Sequence, residues 1–236
     1  MRLDKAISSQ GTWSRSDVRK LVRAGRVSVD GAVCKDPGTA VDPAVQNIAV
    51  DGEALQYKEH IYLVLNKPKG YISATEDRTQ KTVLDLVPPE LFRPGLFPAG
   101  RLDADTTGFV LLTDDGEFAH RILSPRSHIY KTYLATLERP LSEEAAEQLR
   151  GGMTLADGTV CLPAEVRILP GTQAEVRICE GRYHEVKRMF AAAGNRVRDL
   201  HRTKMGGLAL PDDLAEGDCR ELLADELNLV LMSSEF

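Results

Sequence analysis

The chain has 236 residues, of which 42% are hydrophobic and 28% charged, and this composition excludes a disordered or low-complexity protein. Its four cysteines are scattered and form no CxxC pair, which excludes a disulfide scaffold and a zinc finger. The N-terminus begins with charged residues rather than an apolar signal segment, and no apolar run approaches the ~20 residues of a membrane helix. The sequence therefore predicts a soluble, cytoplasmic protein with reduced thiols and no membrane partner.

Acidic residues are concentrated at one end of the chain, so the net charge of −5 hides a basic N-terminal region. The segment 209–236 holds eight carboxylates and one base, whereas the first thirty residues hold seven bases and three acids. Binding of a polyanion depends on the local basic surface rather than on the average charge. The N-terminal region is therefore a candidate nucleic-acid contact, with a merely solvated helix face as the alternative.

The first 56 residues contain the pattern of a small, self-contained unit. A short helix is predicted over Arg2–Gln10. A second, basic helix follows, with Ser14 or Ser16 as its N-cap, and runs through Ala24 to end at Gly25. The stretch Val27–Val33 alternates around Asp30-Gly31, which predicts a hairpin. We therefore expect a first domain over 1–56.

This pattern resembles the S4 RNA-binding module. The resemblance lies in Arg2-Leu3-Asp4-Lys5, in Ser14-Arg15 and in the stretch from Gly25 to Gly31. It implies that the second helix and the loop after it present bases to folded RNA. The implied RNA-facing residues are Arg15, Arg19, Lys20, Arg23 and Arg26.

The remainder, 61–236, is predicted to be one larger domain. Its apolar runs predict strands over Ile61–Leu65, Gly108–Leu112, Lys131–Leu137 and Ala174–Cys179. Its amphipathic stretches predict helices over Glu117–Leu123, Ser142–Leu149 and His184–Ala193. Because strands outnumber helices and several are joined by hairpins, we expect an α+β fold with a mixed, mainly antiparallel sheet.

Three segments of this domain carry residues suited to chemistry. The stretch Pro98–Gly108 places a base and a carboxylate, Arg101 and Asp103, on a turn before a strand. The stretch Glu180–Phe190 gathers bases at the start of a helix, and Lys131-Thr132-Tyr133 places an aromatic ring on a strand. Each segment taken alone also has an ordinary structural explanation, as a capped turn, a solvated helix face or a core tyrosine.

Together these segments resemble the pseudouridine synthases of the RsuA/RluB branch, over essentially the whole chain. The shared motifs are Asn66–Gly70, Gly100-Arg101-Leu102-Asp103 with Thr106 and Gly108, Lys131–Tyr133, and Glu180–Met189. The stretches Phe190–Asn195 and Leu200–Arg202 resemble the members of the branch that act on 16S rRNA. One departure is Glu185, where those sequences usually have Gln.

The resemblance implies a role for each motif residue. Asp103 would be the nucleophile or stabiliser at the sugar or base, and Lys187 would hold it ionised by ion pairing. Tyr133 would stack on the uracil and help to remove the C5 proton. Arg101 would occupy the space of the flipped base or hold the flanking phosphate. The further RNA contacts implied in this domain are Lys67, Arg182, His184 and Arg188.

The implied reaction is the isomerisation of uridine to pseudouridine in 16S rRNA by a monomeric enzyme. It needs no redox change or phosphate chemistry, so we expect no metal and no cofactor. A member of the same branch acting on 23S rRNA is one alternative. Two others are a haloacid-dehalogenase-type phosphatase, since Asp103–Thr107 fits D-x-D-x-T, and a non-enzymatic RNA-binding or ribosome-assembly protein.

Overall fold

The computed structural model describes residues 1–232, which form two compact units. The first unit comprises Met1–Ile61 together with Pro88–Leu96, and the second comprises Tyr62–Val87 and the chain from Phe97 onward. Within the first unit, the buried Arg93 donates hydrogen bonds to the backbone carbonyls of Ser9 and Lys58. The boundaries expected from the sequence, 1–56 and 61–236, place Pro88–Leu96 in the second domain, whereas this segment belongs to the first unit. No helix among the described residues is long and apolar enough to cross a membrane.

The first unit packs two helices against a small sheet. The helices are α1 (Leu3–Ser8) and α2 (Arg15–Arg23), and the strands are β1 (Val27–Val29), β2 (Ala32–Val33), β3 (Ile48–Val50) and β4 (Glu53–Ala54). The strands are antiparallel in the order β2-β1-β3-β4. As predicted, Ser14 caps α2, its Oγ accepting the Asp17 N–H, and Asp30 and Gly31 both have positive φ, as a tight hairpin turn requires.

The second unit contains the remaining elements. Its strands are β5 (Tyr62–Lys67), β6 (Phe97–Pro98), β7 (Thr107–Thr113), β8 (Lys131–Leu137), β9 (Met153–Thr154), β10 (Val160–Cys161), β11 (Glu165–Ile168), β12 (Gln173–Ile178), β13 (Val197–Met205), β14 (Leu208–Ala209) and β15 (Cys219–Glu221). Its α-helices are α3 (Gly116–Leu123), α4 (Glu143–Gly151), α5 (Glu185–Ala192) and α6 (Ala224–Val230), with 3-10 turns at Val83–Leu86 and Pro125–Ser127.

A large mixed sheet organises this unit. Its strands run in the order β11-β12-β8-β13-β7-β5-β15, with β14 paired to β13 and β6 to β7. The β13–β7 pair is parallel and the other pairs are antiparallel, which confirms the predicted α+β class and the mixed, mainly antiparallel sheet. The long central strand β13 was not predicted, because bases interrupt its apolar residues and leave no clear period.

The junction of β7 and β13 depends on Gly108. This residue lies opposite Arg202 in the parallel register and has φ of +100°. A Cβ at Gly108 would lie 2.3 Å from the carbonyl oxygen and 2.9 Å from the amide nitrogen of Arg202. Only glycine therefore allows the two backbones to approach so closely while keeping this conformation.

We expect Gly108→Ala to destabilise the protein. The added Cβ meets backbone atoms that cannot move aside, and the left-handed conformation is strained for alanine. The expected loss is about 2 kcal/mol or more, which corresponds to a fall in Tm of roughly 5 °C or more for a chain of this size. The control is Gly116→Ala at the start of α3, where an added Cβ meets nothing within 4 Å. Equal Tm values for the two variants in thermal unfolding would contradict the steric role of Gly108.

Candidate active site

The loop between β6 and β7, which carries Asp103, is held by hydrogen bonds from a buried lysine. Lys67 is fully buried at the end of β5, and its Nζ donates to the backbone carbonyls of Asp103 (3.1 Å) and Thr106 (2.8 Å), with Ala104 at 3.4 Å. Burial lowers the pKa of Lys67 to about 8. A buried ammonium with these partners cannot reach RNA. The structure therefore corrects the prediction that Lys67 is an RNA contact and gives it the position of a loop support.

Two further hydrogen-bonded groups fix the same loop. The Ser73 hydroxyl accepts the Leu102 N–H and donates to the Leu102 carbonyl, and the Gly70 N–H donates to the Ala104 carbonyl. The backbone on both sides of Asp103 is thus tied to the segment that follows β5. Its carboxylate is consequently held at one place rather than on a freely moving loop.

The Asp103 carboxylate faces the start of helix α5. Lys187 Nζ lies 2.8 Å from Asp103 Oδ2, and His184 Nε2 lies 3.3 Å from Oδ1. Lys187 also lies 2.6 Å from Asp105 Oδ1, so one ammonium joins both aspartates. Burial lowers the pKa of Lys187, but hydrogen bonds to the two aspartates raise it by more, and the pKa lies above its usual value. The same hydrogen bond from Lys187 lowers the pKa of Asp105.

Tyr133 is held on the sheet beside this carboxylate by Arg202. The two residues lie opposite each other on β8 and β13, and Arg202 Nη1 lies 3.4 Å from the tyrosine hydroxyl. Arg202 Nε also donates to the Phe109 carbonyl at 2.7 Å. Both side chains are buried, at 7% and 2% exposure, so the ring has little freedom to move.

These side chains line two hollows that share Asp103 and His184. The smaller holds about 50 Å³ and is also lined by Tyr133 and Lys187. The larger holds about 520 Å³ and is also lined by Arg101 and Asp105. A hollow of that size lies within the range of small-molecule sites, and it places an exposed carboxylate and cations where a nucleotide can enter.

The segment before α5 turns sharply at His184, where a helix over His184–Ala193 was predicted. The helix begins one residue later, and His184 has a left-handed φ of +48°. Its ring stacks on the exposed Tyr183 at a centroid distance of 3.8 Å. Arg182 lines both hollows and bonds to Glu180, whereas Arg188 is paired with Asp157 at 2.6 Å.

The predicted RNA-facing bases of the first unit are mostly engaged with carboxylates. Arg15 and Arg19 both bind the fully buried Asp4, at 3.1 and 3.0 Å. Lys20 pairs with Asp17, and Arg26 pairs with Asp51. Arg23 has no ion pair among residues 1–232. All five side chains remain substantially exposed, so their ion pairs leave donors that face solvent.

Two buried bases near the site lie in stretches that the sequence analysis singled out, but it assigned neither of them a role. Arg202, which positions Tyr133, lies on the unpredicted strand β13, and Lys131, at the start of β8, donates to the Cys179 carbonyl. Burial lowers the pKa of Lys131 to about 8. Sequence reasoning treats bases as exposed unless a partner is visible, and here the partners are distant backbone carbonyls.

Comparison with known proteins agrees with this geometry. Residues 61–192 match the family described as RNA pseudouridylate synthase, and residues 1–46 match the S4 domain. The chain belongs to the RNA pseudouridylate synthase family and carries an N-terminal S4 domain. It is thus an isomerase that acts on RNA, which excludes the phosphatase and the non-enzymatic alternatives.

Relatives align over nearly the full length of the chain. It is 46% identical over 230 residues to "Ribosomal small subunit pseudouridine synthase A" of Yersinia pestis, covering 96% of this chain and 97% of that one. It is 45% identical over 233 residues to the protein of the same name from Escherichia coli K12, covering 98% and 100%. It is also 46% identical over 234 residues to "Uncharacterized RNA pseudouridine synthase YtzG" of Bacillus subtilis, covering 98% of each.

A solved structure shows the same fold. The structure titled "Crystal structure of pseudouridylate synthase" is 39% identical, covers 98% of this chain and 99% of its own, and has a TM-score of 0.69. The chain therefore has the fold and nearly the full length of a pseudouridine synthase.

We expect Lys187→Met to lower kcat strongly while the protein stays folded. The substitution leaves the Asp103 and Asp105 carboxylates side by side without the cation that joins them, and it removes a fixed positive charge from the reaction centre. We expect a loss in kcat of about a hundredfold or more. The control is Lys204→Met, an exposed lysine on β13. Near-wild-type turnover of Lys187→Met in a single-turnover assay would show that Lys187 is only a helix-surface residue.

Proposed function

We propose that this protein converts a uridine of 16S rRNA to pseudouridine, with uridine 516 as the expected target. The name carried by the Yersinia and Escherichia relatives, which refers to the small ribosomal subunit, supports the choice of 16S over 23S rRNA. The observation that carries the chemistry is the fixed Asp103 carboxylate between Lys187 and His184, beside Tyr133. Action as a monomer in the cytoplasm remains a prediction.

The reaction is an isomerisation, so the uracil must stay in the site after it detaches from the ribose and must then bond to the ribose again. The bond between ribose C1′ and uracil N1 breaks, the uracil turns, and C1′ bonds to C5. The C5 proton leaves and N1 gains a proton, so atoms and charge balance. Asp103 is proposed to act at the sugar or the base, as nucleophile or as charge stabiliser, because its carboxylate is partly exposed to the hollow and rigidly held. Any bond that it forms to the nucleoside breaks before the product leaves, so the carboxylate is regenerated.

Tyr133 and Arg101 are proposed to handle the base. A uridine must leave its helical stack to reach Asp103, and the Tyr133 ring then offers a flat apolar face within the same hollow. Its hydroxyl, held by Arg202, is the nearest candidate to assist removal of the C5 proton. Arg101, exposed at the mouth, is proposed to take the place of the flipped base or to hold a flanking phosphate.

The remaining bases are proposed to hold the surrounding RNA. In the second unit these are Arg182, His184 and Arg188. In the first unit, the proposed RNA surface over 1–56 consists of Arg15, Arg19, Lys20, Arg23 and Arg26. Guanidinium groups that share a carboxylate still carry N–H donors for phosphate oxygens, which supports keeping the paired residues in this set.

Tritium release from rRNA labelled at C5 of uridine tests this proposal. The wild type should release tritium from 16S rRNA and not from 23S rRNA, with the product placed by sequencing of the modified RNA. Release from 23S rRNA alone would replace the 16S proposal with the alternative from the same branch. Chelation by EDTA should leave the rate on folded RNA unchanged, and loss of activity would contradict a mechanism that uses only these side chains.

The two neighbouring aspartates should differ in the same assay. Asp103→Asn should abolish tritium release, because an amide cannot act as the nucleophile. Asp105→Asn should lose less than about tenfold, because its carboxylate is largely exposed and such an ion pair is worth about 1 kcal/mol or less. An active Asp103→Asn variant would mean that the nucleophile is wrongly assigned.

A further inference from the structure

Two buried carboxyl groups lie behind the active-site segment and have no role in the proposed chemistry. Glu180 and Glu185 are 5% and 3% exposed, and one carboxyl oxygen of each lies within 4.8 Å of the other and of Cys161 Sγ. They flank the segment that carries Arg182, His184 and Lys187. Two carboxylates so close together in a buried place repel each other unless a cation or a proton lies between them.

Hydrogen bonds already occupy most of these carboxyl oxygens. Glu180 Oε1 accepts the Leu162 N–H at 2.7 Å, and its Oε2 accepts Arg182 Nε at 2.9 Å. Glu185 Oε2 accepts the Arg182 N–H at 2.8 Å. Glu185 Oε1 is buried and accepts from no donor among residues 1–232. The hydrogen-bond donors around Glu180 therefore favour its charged form. Glu185 has too few donors for its carboxylate to carry a second charge in this buried place.

The charged and titratable groups around Glu185 do not supply a second full counter-charge. Glu180 and Arg182 face it from the loop after β12, together with Cys179, whose pKa burial also raises. Cys161 faces it from β10, and Lys131 approaches from β8. Arg182 is the cation next to the two carboxyl groups, and its guanidinium is bonded to Glu180. Burial raises the pKa of Cys161, so the thiol is neutral and adds no charge.

We propose that Glu185 is a positioning residue that works as a neutral acid: it donates a hydrogen bond to Glu180 and so fixes the segment that presents His184 and Lys187 to Asp103. Glu185 is the first residue of α5, and its acceptance of the Arg182 N–H closes the turn in which His184 has a left-handed φ. Lys187 lies two residues further along the helix. Loss of the proton from Glu185 places two like charges at the base of this turn and displaces the cations that hold the nucleophile.

The titration of Glu185 falls in an accessible range of pH. Burial, together with the hydrogen bond to Glu180, raises the pKa of Glu185 from 4.5 to about 7. Burial also raises the pKa of Glu180, but hydrogen bonds from Glu185, Leu162 and Arg182 lower it by more. Between pH 4.5 and about pH 7, Glu185 keeps its proton in the folded protein but has lost it in the unfolded chain. Its contribution to stability is complete below about pH 4.5 and decreases as the pH rises towards 7.

The test compares the wild type with Glu185→Gln, whose amide can donate the same hydrogen bond at any pH. The kcat of the wild type should fall about tenfold between pH 6 and pH 8, as expected for one essential proton with a midpoint near 7. The kcat of Glu185→Gln should match the wild type at pH 6 and stay level until groups that titrate near pH 8, Lys67 and Lys131, lose their protons. Glu185→Ala, which has no donor, should have a low kcat throughout. The control is Glu144→Gln, an exposed residue of α4.

Thermal unfolding provides a second measurement that needs no RNA. The Tm of Glu185→Gln minus that of the wild type should increase from pH 5 to pH 8. The inference uses the pseudouridine synthase activity of the family but not the choice of rRNA, so its failure and that of the 16S proposal are distinguishable. A Tm difference independent of pH, or a wild-type kcat profile superimposable on that of Glu185→Gln, would overturn it.

Discussion

The active site depends on one buried ammonium group that holds a loop by its backbone. Lys67 donates at once to the carbonyls of Asp103 and Thr106, and so binds the loop at Asp103 and three residues beyond it. A carboxylate on a solvent-exposed turn would otherwise sample many positions, at a cost to any reaction that needs alignment within an ångström. Because β5 is an inner strand of the sheet, the lysine at its end ties the loop that carries Asp103 to a rigid part of the molecule.

The other reacting groups are tied to the same sheet by different means. Gly108 lets β13 approach β7 on one side, and the pairing of β13 with β8 on the other side places Arg202 opposite Tyr133. Helix α5 then brings Lys187 to Asp103 from outside the sheet. The Asp103 carboxylate, the Tyr133 ring and the Lys187 ammonium therefore come from three separate parts of the chain, and the buried Lys67 and Arg202 hold the first two in place.

The sequence predicted the parts of the molecule that follow from local pattern. The helices α1 to α5, the Asp30-Gly31 hairpin and the strand that begins near Gly108 were recognised from their periods and turn residues, and resemblance to a known family supplied the proposed roles of Asp103, Tyr133 and Lys187. What the sequence could not predict depends on contacts between distant residues. Lys67 was expected to contact RNA because the resemblance implies it, and its buried carbonyl partners lie far along the chain. Strand β13 was missed because bases such as Arg202, bonded to a distant carbonyl, interrupt its apolar residues.

The most direct test of the central role of Lys67 is the separation of kcat from RNA affinity in Lys67→Met. If Lys67 supports the Asp103 loop, kcat should fall about a hundredfold, as expected for a misplaced reacting group, while the Kd for 16S rRNA stays near the wild-type value. Circular dichroism and Tm establish that the variant is folded, and Lys69→Met provides an exposed lysine two residues away as the control. An unchanged kcat with a weakened Kd would contradict the supporting role of Lys67 and return it to the RNA-binding surface.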